Sequence, residues 1–385
     1  MTSYLSTGVE GVIADGFKEW RGGADEMSVA EVRAAYDAGF AGAFGQPEAR
    51  ARFRDNVKAA GFDPDGEATA TAWGLAGRAV GGLHVPYVYA CDAYGALVFP
   101  GRAQGRGDCV SRGTANGATL TLGVELFLQR PDPVSGIIEG FPQLAPEALD
   151  NGVLSSEVIY WWRQHGGEGS SCALLADALC HNSGMWLRQS YPDLGLDLTT
   201  YSARTAGLYG SRTPPDNLRA VGQSHLMRTA TEPEGWEAAA DFLANGHGVN
   251  SCGGQAWSDD RDENGFSPTT NGGWAHSEAY IAADWRPWVA QKYNVPALFL
   301  MLNSWGPNWN QGPRDIYDSA QYVPASKRER WVALGLVNPT TGNLLIPPGS
   351  RWVSCKTVAQ RYLVAFSGAA GWPARDLVNM SFASG

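Results

Sequence analysis

Three short segments carry side chains that together can do acyl-transfer chemistry. The first is Gln104-Gly105-Arg106-Gly107-Asp108-Cys109-Val110-Ser111, a glycine-rich loop that delivers a cysteine to a predicted helix start. A thiol there feels the partial positive charge of the helix N-terminus, which lowers its pKa and favours the thiolate. The carboxylate of Asp108 beside it works in the opposite direction. The second segment is Gly272-Gly273-Trp274-Ala275-His276-Ser277, a histidine leading into a strand. The third is Asn303-Ser304-Trp305-Gly306, an asparagine at the end of an apolar strand, with Trp309 just beyond. A thiolate attacks a carbonyl, an imidazole carries the proton to the leaving amine, and an amide oxygen holds the ring in place. A nearby N–H donor stabilises the oxyanion. Taken singly, each residue also has a plain structural reading: a buried cysteine, a satisfied histidine, a turn asparagine. Their order along the chain is what points to chemistry.

In that order, and most specifically in NSWGPNWNQG over residues 303–312, the sequence resembles the papain family of cysteine peptidases. The segments at 154–163, 167–171, 176–179, 236–246 and 249–251 are also similar to bacterial members, so the resemblance spans roughly residues 85–370. It implies Cys109 as nucleophile, His276 as its base and Asn303 as the residue that orients the base. It further implies that Trp305 shields the His–Asn pair from water, and that Gln104 with the Cys109 backbone N–H holds the oxyanion. The implied fold is α+β and two-lobed, with a helical lobe, a β lobe and the active site in the cleft between them. The implied reaction is hydrolysis of a peptide or isopeptide bond through a thioester, with no metal or organic cofactor.

The chain departs from the family in four places. Gln104 lies five residues before Cys109, one fewer than usual. Val110-Ser111-Arg112 follows the cysteine where papain has an aromatic side chain. Ala275 replaces a polar residue, and the stretch between His276 and Asn303 is long enough to imply an insertion near residues 284–295.

The elements that must position these residues are legible from patterning. A helix is predicted from Asp108 or Cys109 to about Gln129, ended by Pro131. A short aromatic helix is predicted over 158–164. Another is capped by Ser170, carries Leu174, Leu175, Ala178 and Leu179, and closes at Gly184. A further helix over 234–245 stops at Gly246. Strands are predicted over 248–252, 278–285 and 297–303, the last apolar without alternation and so buried on both faces. Helices followed by strands read as α+β. Ahead of this domain (85–385), residues 1–84 read as a helical module, a propeptide or a docking element. A Ser28-Val29-Ala30-Glu31 capping box opens its first helix, and further helices follow over 47–60 and 69–80.

Composition narrows the function classes. Of 385 residues, 44% are hydrophobic and 18% charged, which supports a sizeable core rather than disorder. A net charge of −10 without a basic run disfavours nucleic-acid binding. The first twenty residues have neither the charged nor the apolar region of a signal peptide, and no apolar stretch reaches membrane-spanning length. Synthesis in the cytosol is therefore expected, with virion association as one later destination. The six cysteines are far apart and form no C-x-x-C pair, so neither structural zinc nor a disulfide framework is expected. Cysteines other than Cys109 read as buried small hydrophobes. Asp260, Asp262 and Asn264 match the opening of a calcium loop, but Asn271 stands where a bidentate glutamate belongs. The plain alternative there is an Asx-rich surface loop. The expected partner is a peptide or protein substrate. Two other readings stay open: a cell-wall peptide endopeptidase, and a phage-particle component that retains the fold, active or inactive.

Overall fold

The computed structural model describes residues 82–129, 144–233, 235–270, 275–309 and 312–368. All but the last three residues of the expected module at 1–84 therefore lie outside the described residues, as do Asn271, Gly272, Gly273 and Trp274. Helix α1 spans Pro86–Tyr94, α2 Cys109–Gln129, α3 Ser156–Tyr160, α4 Cys172–Asp177, α5 Gly235–Ala244 and α6 Pro287–Tyr293. The main sheet is built from β1 (Leu83–His84), β2 (Thr229–Thr231), β3 (Val249–Gly253), β4 (His276–Asp284), β5 (Leu298–Leu302), β6 (Ser350–Ser354) and β7 (Tyr362–Ser367). Its strands run in the order β2-β7-β3-β4-β5-β6, all antiparallel, with β1 added at the far end of β4. Mixed helix and sheet was the expected class. Among the described residues no helix is long and apolar enough to cross a membrane.

Helix α2 starts at the residue expected and is the centre of the core. From Cys109 to Phe127 every residue but Asn116 is buried, so the helix is covered on all sides rather than on one stripe. It lies against the sheet through glycines spaced four apart. A Cβ at Gly113 would come within 2.2 Å of Asn250 Oδ1, and one at Gly117 within 2.9 Å of the Phe366 ring. From the sheet side, a Cβ at Gly248 would meet the Gly117 carbonyl at 2.0 Å. On the opposite side, Gly123 lets α1 approach, with Ala90 Cβ at 2.7 Å from the position a side chain would take.

Strands β4 and β5 are buried along their whole length, as the unbroken apolar run Leu298-Phe299-Leu300-Met301-Leu302 predicts. Their register pairs Ala279 with Leu302, which leaves Asn303 beside the start of β4, where His276 stands. Helix α6 lies in the stretch between them where an insertion is expected.

Three expectations need correction. The predicted absence of disulfides fails: Cys172 is bonded to Cys252, across 80 residues of chain. No spacing rule reveals a pair so remote in sequence; only the packing of α4 on β3 brings the two together. Loop-closure entropy alone would make it worth about 4 kcal/mol. Cys91, Cys180 and Cys355 are buried and outside any disulfide, as expected, and Cys109 is buried and outside any disulfide as well. The cap of α4 is Ser171 rather than Ser170; its side chain accepts from the Leu174 N–H at 3.2 Å, and the helix runs on as a wider π turn over Ala178–Asn182. The aromatic helix begins and ends earlier, at Ser156–Tyr160, because Glu157 is drawn inward to a buried pair with Arg188 at 3.0 Å.

The glycine contacts of α2 have a direct test. Gly113→Ala should lower stability by roughly 1–3 kcal/mol through overpacking, read as a lower denaturant midpoint at unchanged slope. Asn116→Gly, at the one position of this stretch that is not buried, should cost only about 0.3–0.5 kcal/mol through helix propensity. Equal effects of the two would mean that the close approach is not limiting.

Candidate active site

Cys109 is the first residue of α2, and the loop before it is held from both sides. The Gln104 N–H donates to the Ser304 carbonyl at 2.8 Å, and Gln104 Oε1 accepts from Ser304 Oγ at 2.5 Å. Gln104 Nε2 donates to the Arg106 carbonyl at 2.8 Å. Across the loop, Glu168 accepts from the Gly107 N–H at 2.5 Å and is ion-paired with Arg106. Gly169 N and Tyr160 OH both donate to the Gly107 carbonyl, at 2.9 and 3.1 Å. The glycines are required by close approach: a Cβ at Gly105 would lie 2.9 Å from Ala203 Cβ, and one at Gly107 2.9 Å from Glu168 Cβ. From inside the helix, Arg112 donates to the carbonyls of Arg102 and Ala103 at 3.1 and 3.2 Å while lying 3.8 Å over the Tyr201 ring.

On the sheet side, His276 opens β4, and its Nε2 stands 2.7 Å from Asn303 Oδ1. That oxygen also accepts from the Ser304 N–H at 2.7 Å, so it faces donors on both sides. The imidazole must therefore carry its hydrogen on Nε2, which leaves Nδ1 as the basic nitrogen. Trp305 covers the ring, its centroid 4.5 Å from that of His276 and its plane tilted by 33°. Trp309 meets Trp305 edge-on at 5.1 Å. The backbone N–H groups of Ser277 and Val110 both act to lower the Cys109 thiol, which puts the sulfur near the residue that follows His276. The fold thus brings Cys109, His276, Asn303, Trp305 and Gln104 to one locality from three separate stretches of chain.

Behind these residues lies a polar layer that sequence reading missed. Asn250 Oδ1 accepts from Ser277 Oγ at 2.9 Å, and its Nδ2 donates to Thr114 Oγ1 of α2 at 2.9 Å. The Cys172–Cys252 disulfide is on the same level, since Cys252 pairs with Ser277 across β3 and β4. On the other face of β3 and β4, the Arg361 guanidinium donates to the His276 carbonyl at 2.8 Å, to Ser251 Oγ at 2.7 Å and to Glu278 Oε2 at 2.8 Å. The one available signal was Glu278 itself, an acid two residues after His276 in an otherwise apolar strand.

Burial dominates the electrostatics. Cys109 is 6% exposed, and burial pushes its thiol up to about 12, with the charges of Asp108 and Glu278 acting in the same sense and the two backbone N–H groups opposing. His276 is 2% exposed, and burial brings its imidazole down to about 3 despite the bond to Asn303. Burial thus opposes the helix-terminus effect expected from sequence and favours a neutral thiol and a neutral imidazole at rest. The expected opposing effect of Asp108 is present. Its own carboxyl is raised by burial, against the pull of Arg112 at 3.8 Å and the Tyr201 hydroxyl.

The calcium-loop candidates behave as a local turn. Asp262 Oδ1 accepts from the backbone N–H groups of Asn264 and Phe266 at 2.9 and 2.8 Å, and the Asp260 N–H donates to Ser258 Oγ at 3.0 Å. Asn271 lies outside the described residues, and among those described no cluster of three or more His, Cys, Asp or Glu side chains is arranged to hold a metal.

No family model and no curated protein matches the chain. Among solved structures it is similar to xylellain, a cysteine protease from Xylella fastidiosa, at 12% identity and a TM-score of 0.40, over 71% of this chain and 84% of that one. It is also similar to the cysteine protease and lectin-like domains of Cwp84, a surface layer associated protein of Clostridium difficile. There the identity is 14% and the TM-score 0.37, over 71% of this chain and 49% of that chain.

The neutral resting pair predicts the pH profile of Cys109 alkylation by a small neutral reagent such as iodoacetamide. With the thiol near 12, the thiolate fraction should climb about tenfold per pH unit through neutral and mildly alkaline pH, without levelling. Peptide mass spectrometry of Cys109 against pH reads it. A plateau beginning near pH 5 would instead reveal a thiolate–imidazolium pair already formed at rest.

Proposed function

We propose that the chain is a cysteine peptidase of papain-like, two-lobed fold, with Cys109 as nucleophile, His276 as base and Asn303 as the residue that orients it. The observation that carries this reading is the 2.7 Å contact of His276 Nε2 with Asn303 Oδ1 beneath Trp305, beside the sulfur at the start of α2. That contact fixes the tautomer a thiol needs: the proton sits on Nε2 and the lone pair on Nδ1.

In this mechanism the Cys109 thiol gives its proton to His276 Nδ1 as sulfur bonds to the scissile carbonyl carbon. The oxyanion is met by the Cys109 backbone N–H, one of the donors that a helix start leaves unused, and by Gln104. Gln104 Nε2 has one N–H on the Arg106 carbonyl, and its second N–H remains for this task. Collapse of the tetrahedral intermediate breaks the C–N bond, and the imidazolium returns its proton to the leaving amine. Water then hydrolyses the thioester with His276 again acting as base. The substrate class is a peptide or isopeptide bond in a protein or peptide, and the steps call on no metal or organic cofactor. Residues 1–84 act as a propeptide or as a docking element.

One observation favours a second reading. A thiol 6% exposed with its pKa raised by burial suits a retained papain-like fold that serves as a structural component, of which a phage particle is one instance.

A peptidyl epoxide separates the two, because its peptide arm meets the pair as a substrate would. The enzyme reading expects labelling confined to Cys109 and slowed roughly 100-fold or more by His276→Ala, followed by peptide mass spectrometry. Cys109 that stays inert in the full chain, and again after the first 84 residues are removed by limited proteolysis, would sink the catalytic reading in favour of the structural one.

A further inference from the structure

Arg351 stands on β6 opposite Met301 and is 1% exposed, yet its Nε, Nη1 and Nη2 donate to no acceptor among the described residues. The fold treats other buried guanidinium groups differently. Arg163, Arg188, Arg286 and Arg361 are all at least nine-tenths buried, and each donates at least three hydrogen bonds. The charge that acts on Arg351 is Arg261, of the same sign, and together with burial it brings the guanidinium down to about 9. Arg261 is anchored by donation from Nη1 to the Gly265 carbonyl at 3.1 Å and lies against Gly312, where a Cβ would come within 2.1 Å of its Nη2. The third wall is Trp309, whose ring centroid is 5.1 Å from the Arg351 guanidinium carbon. Asp259 accepts from Trp309 Nε1 at 2.8 Å.

A buried cation without a counter-charge is strongly unfavourable, and a second cation beside it makes it more so. We propose that Arg351, with Arg261 alongside and Trp309 as cover, forms a site for a small monovalent anion, either chloride or a compact carboxylate. The ligand must be small because Arg351 is almost wholly enclosed. It must be negative because Arg351 is itself cationic, the charge acting on it is that of Arg261, and no acceptor among the described residues meets its guanidinium. The half-buried Trp309 is the side of entry, and it is the ring that packs edge-on against Trp305 over His276. Anion binding therefore also fixes the aromatic cover of the histidine, whether or not Cys109 is catalytic.

Thermal unfolding of the full chain tests this at constant ionic strength, with sodium chloride replacing sodium gluconate, whose carboxylate is too bulky to enter. A second series uses sodium formate. The wild-type melting temperature should rise by several degrees and saturate, as linkage requires for a ligand of the native state. Arg351→Met should show no dependence and, at the lowest anion concentration, should be at least as stable as wild type, since it removes an uncompensated buried charge. Arg351→Lys, which keeps the charge, should show the same rise displaced to higher concentration. A rise with chloride alone assigns the site to the free halide, and a rise with formate as well assigns it to anions that include carboxylates. No saturable rise in either series, or the same rise in Arg351→Met, overturns the proposal.

Discussion

Everything at the candidate site depends on how closely α2 lies on the sheet. A helix with ordinary side chains at positions 113 and 117 would stand off from β3 and β7, because Asn250, Phe366 and Gly248 already occupy the space those side chains would need. The glycines cost helix propensity, about 1 kcal/mol each relative to alanine. What they permit is close approach of the helix start to the start of β4, so that the Ser277 N–H acts on the Cys109 thiol. The hydrogen bonds from Asn250 to Thr114 and from Ser277 to Asn250 fill the same narrow seam, and they set how the helix is turned as well as how near it comes.

So close a seam excludes water, and that has electrostatic consequences on both sides of it. The reactive pair loses its tendency to ionise, and burial raises the Glu278 carboxyl behind it as well, against the pull of Arg361 and three side-chain hydrogen bonds. Glu278 is completely buried yet is met by Arg361 at 2.8 Å and by Ser251 Oγ at 2.8 Å. Arg361 also grips the His276 carbonyl, so the same ion pair that satisfies Glu278 holds the backbone of the imidazole. A water-free site also strengthens whatever dipoles it holds. The His276–Asn303 bond is therefore stiffer under Trp305 than it would be in the open. Neutral at rest and rigidly oriented are two outcomes of one cause.

The parts legible in the sequence were those with local signatures. The unbroken apolar run of β5, the glycine and asparagine punctuation around it and the start of α2 at Cys109 all follow from a few adjacent residues. So do the order of Cys109, His276 and Asn303 and the tryptophan that covers the pair. What sequence reading missed is non-local. Cys172 and Cys252 are brought together only after α4 has packed against β3, and Arg361 reaches His276 from the far end of the chain. Gly113 and Gly117 could be read as weak points in a helix, but their use became visible only with a sheet beneath them. The thiol's ionisation was misjudged for the same reason: the helix terminus is a local feature and burial is a global one. The expected module over residues 1–84 lies outside this comparison but for its last three residues, of which Leu83 and His84 pair with β4.

The two sides of the site are joined directly as well as through the core. Gln104 is bonded to Ser304 through both backbone and side chain, so the loop that presents the cysteine and the turn that follows Asn303 move as one piece. Beyond that turn the same stretch supplies Trp305 to His276 and Trp309 to Arg351, and Gly101 sits so close to Pro348 that a Cβ would lie 2.5 Å from its carbonyl oxygen. Residues 303–309 are therefore a common support. One end orients the imidazole, the middle keeps water from it, and the far end covers a buried cation. A change at the cation must be transmitted through two indoles packed edge-on to reach His276, and rigid aromatic contacts at about 5 Å transmit position well because they have little room to yield. This makes the charge state around Arg351 part of the geometry of the histidine, although no atom of one touches the other in the contacts that link them.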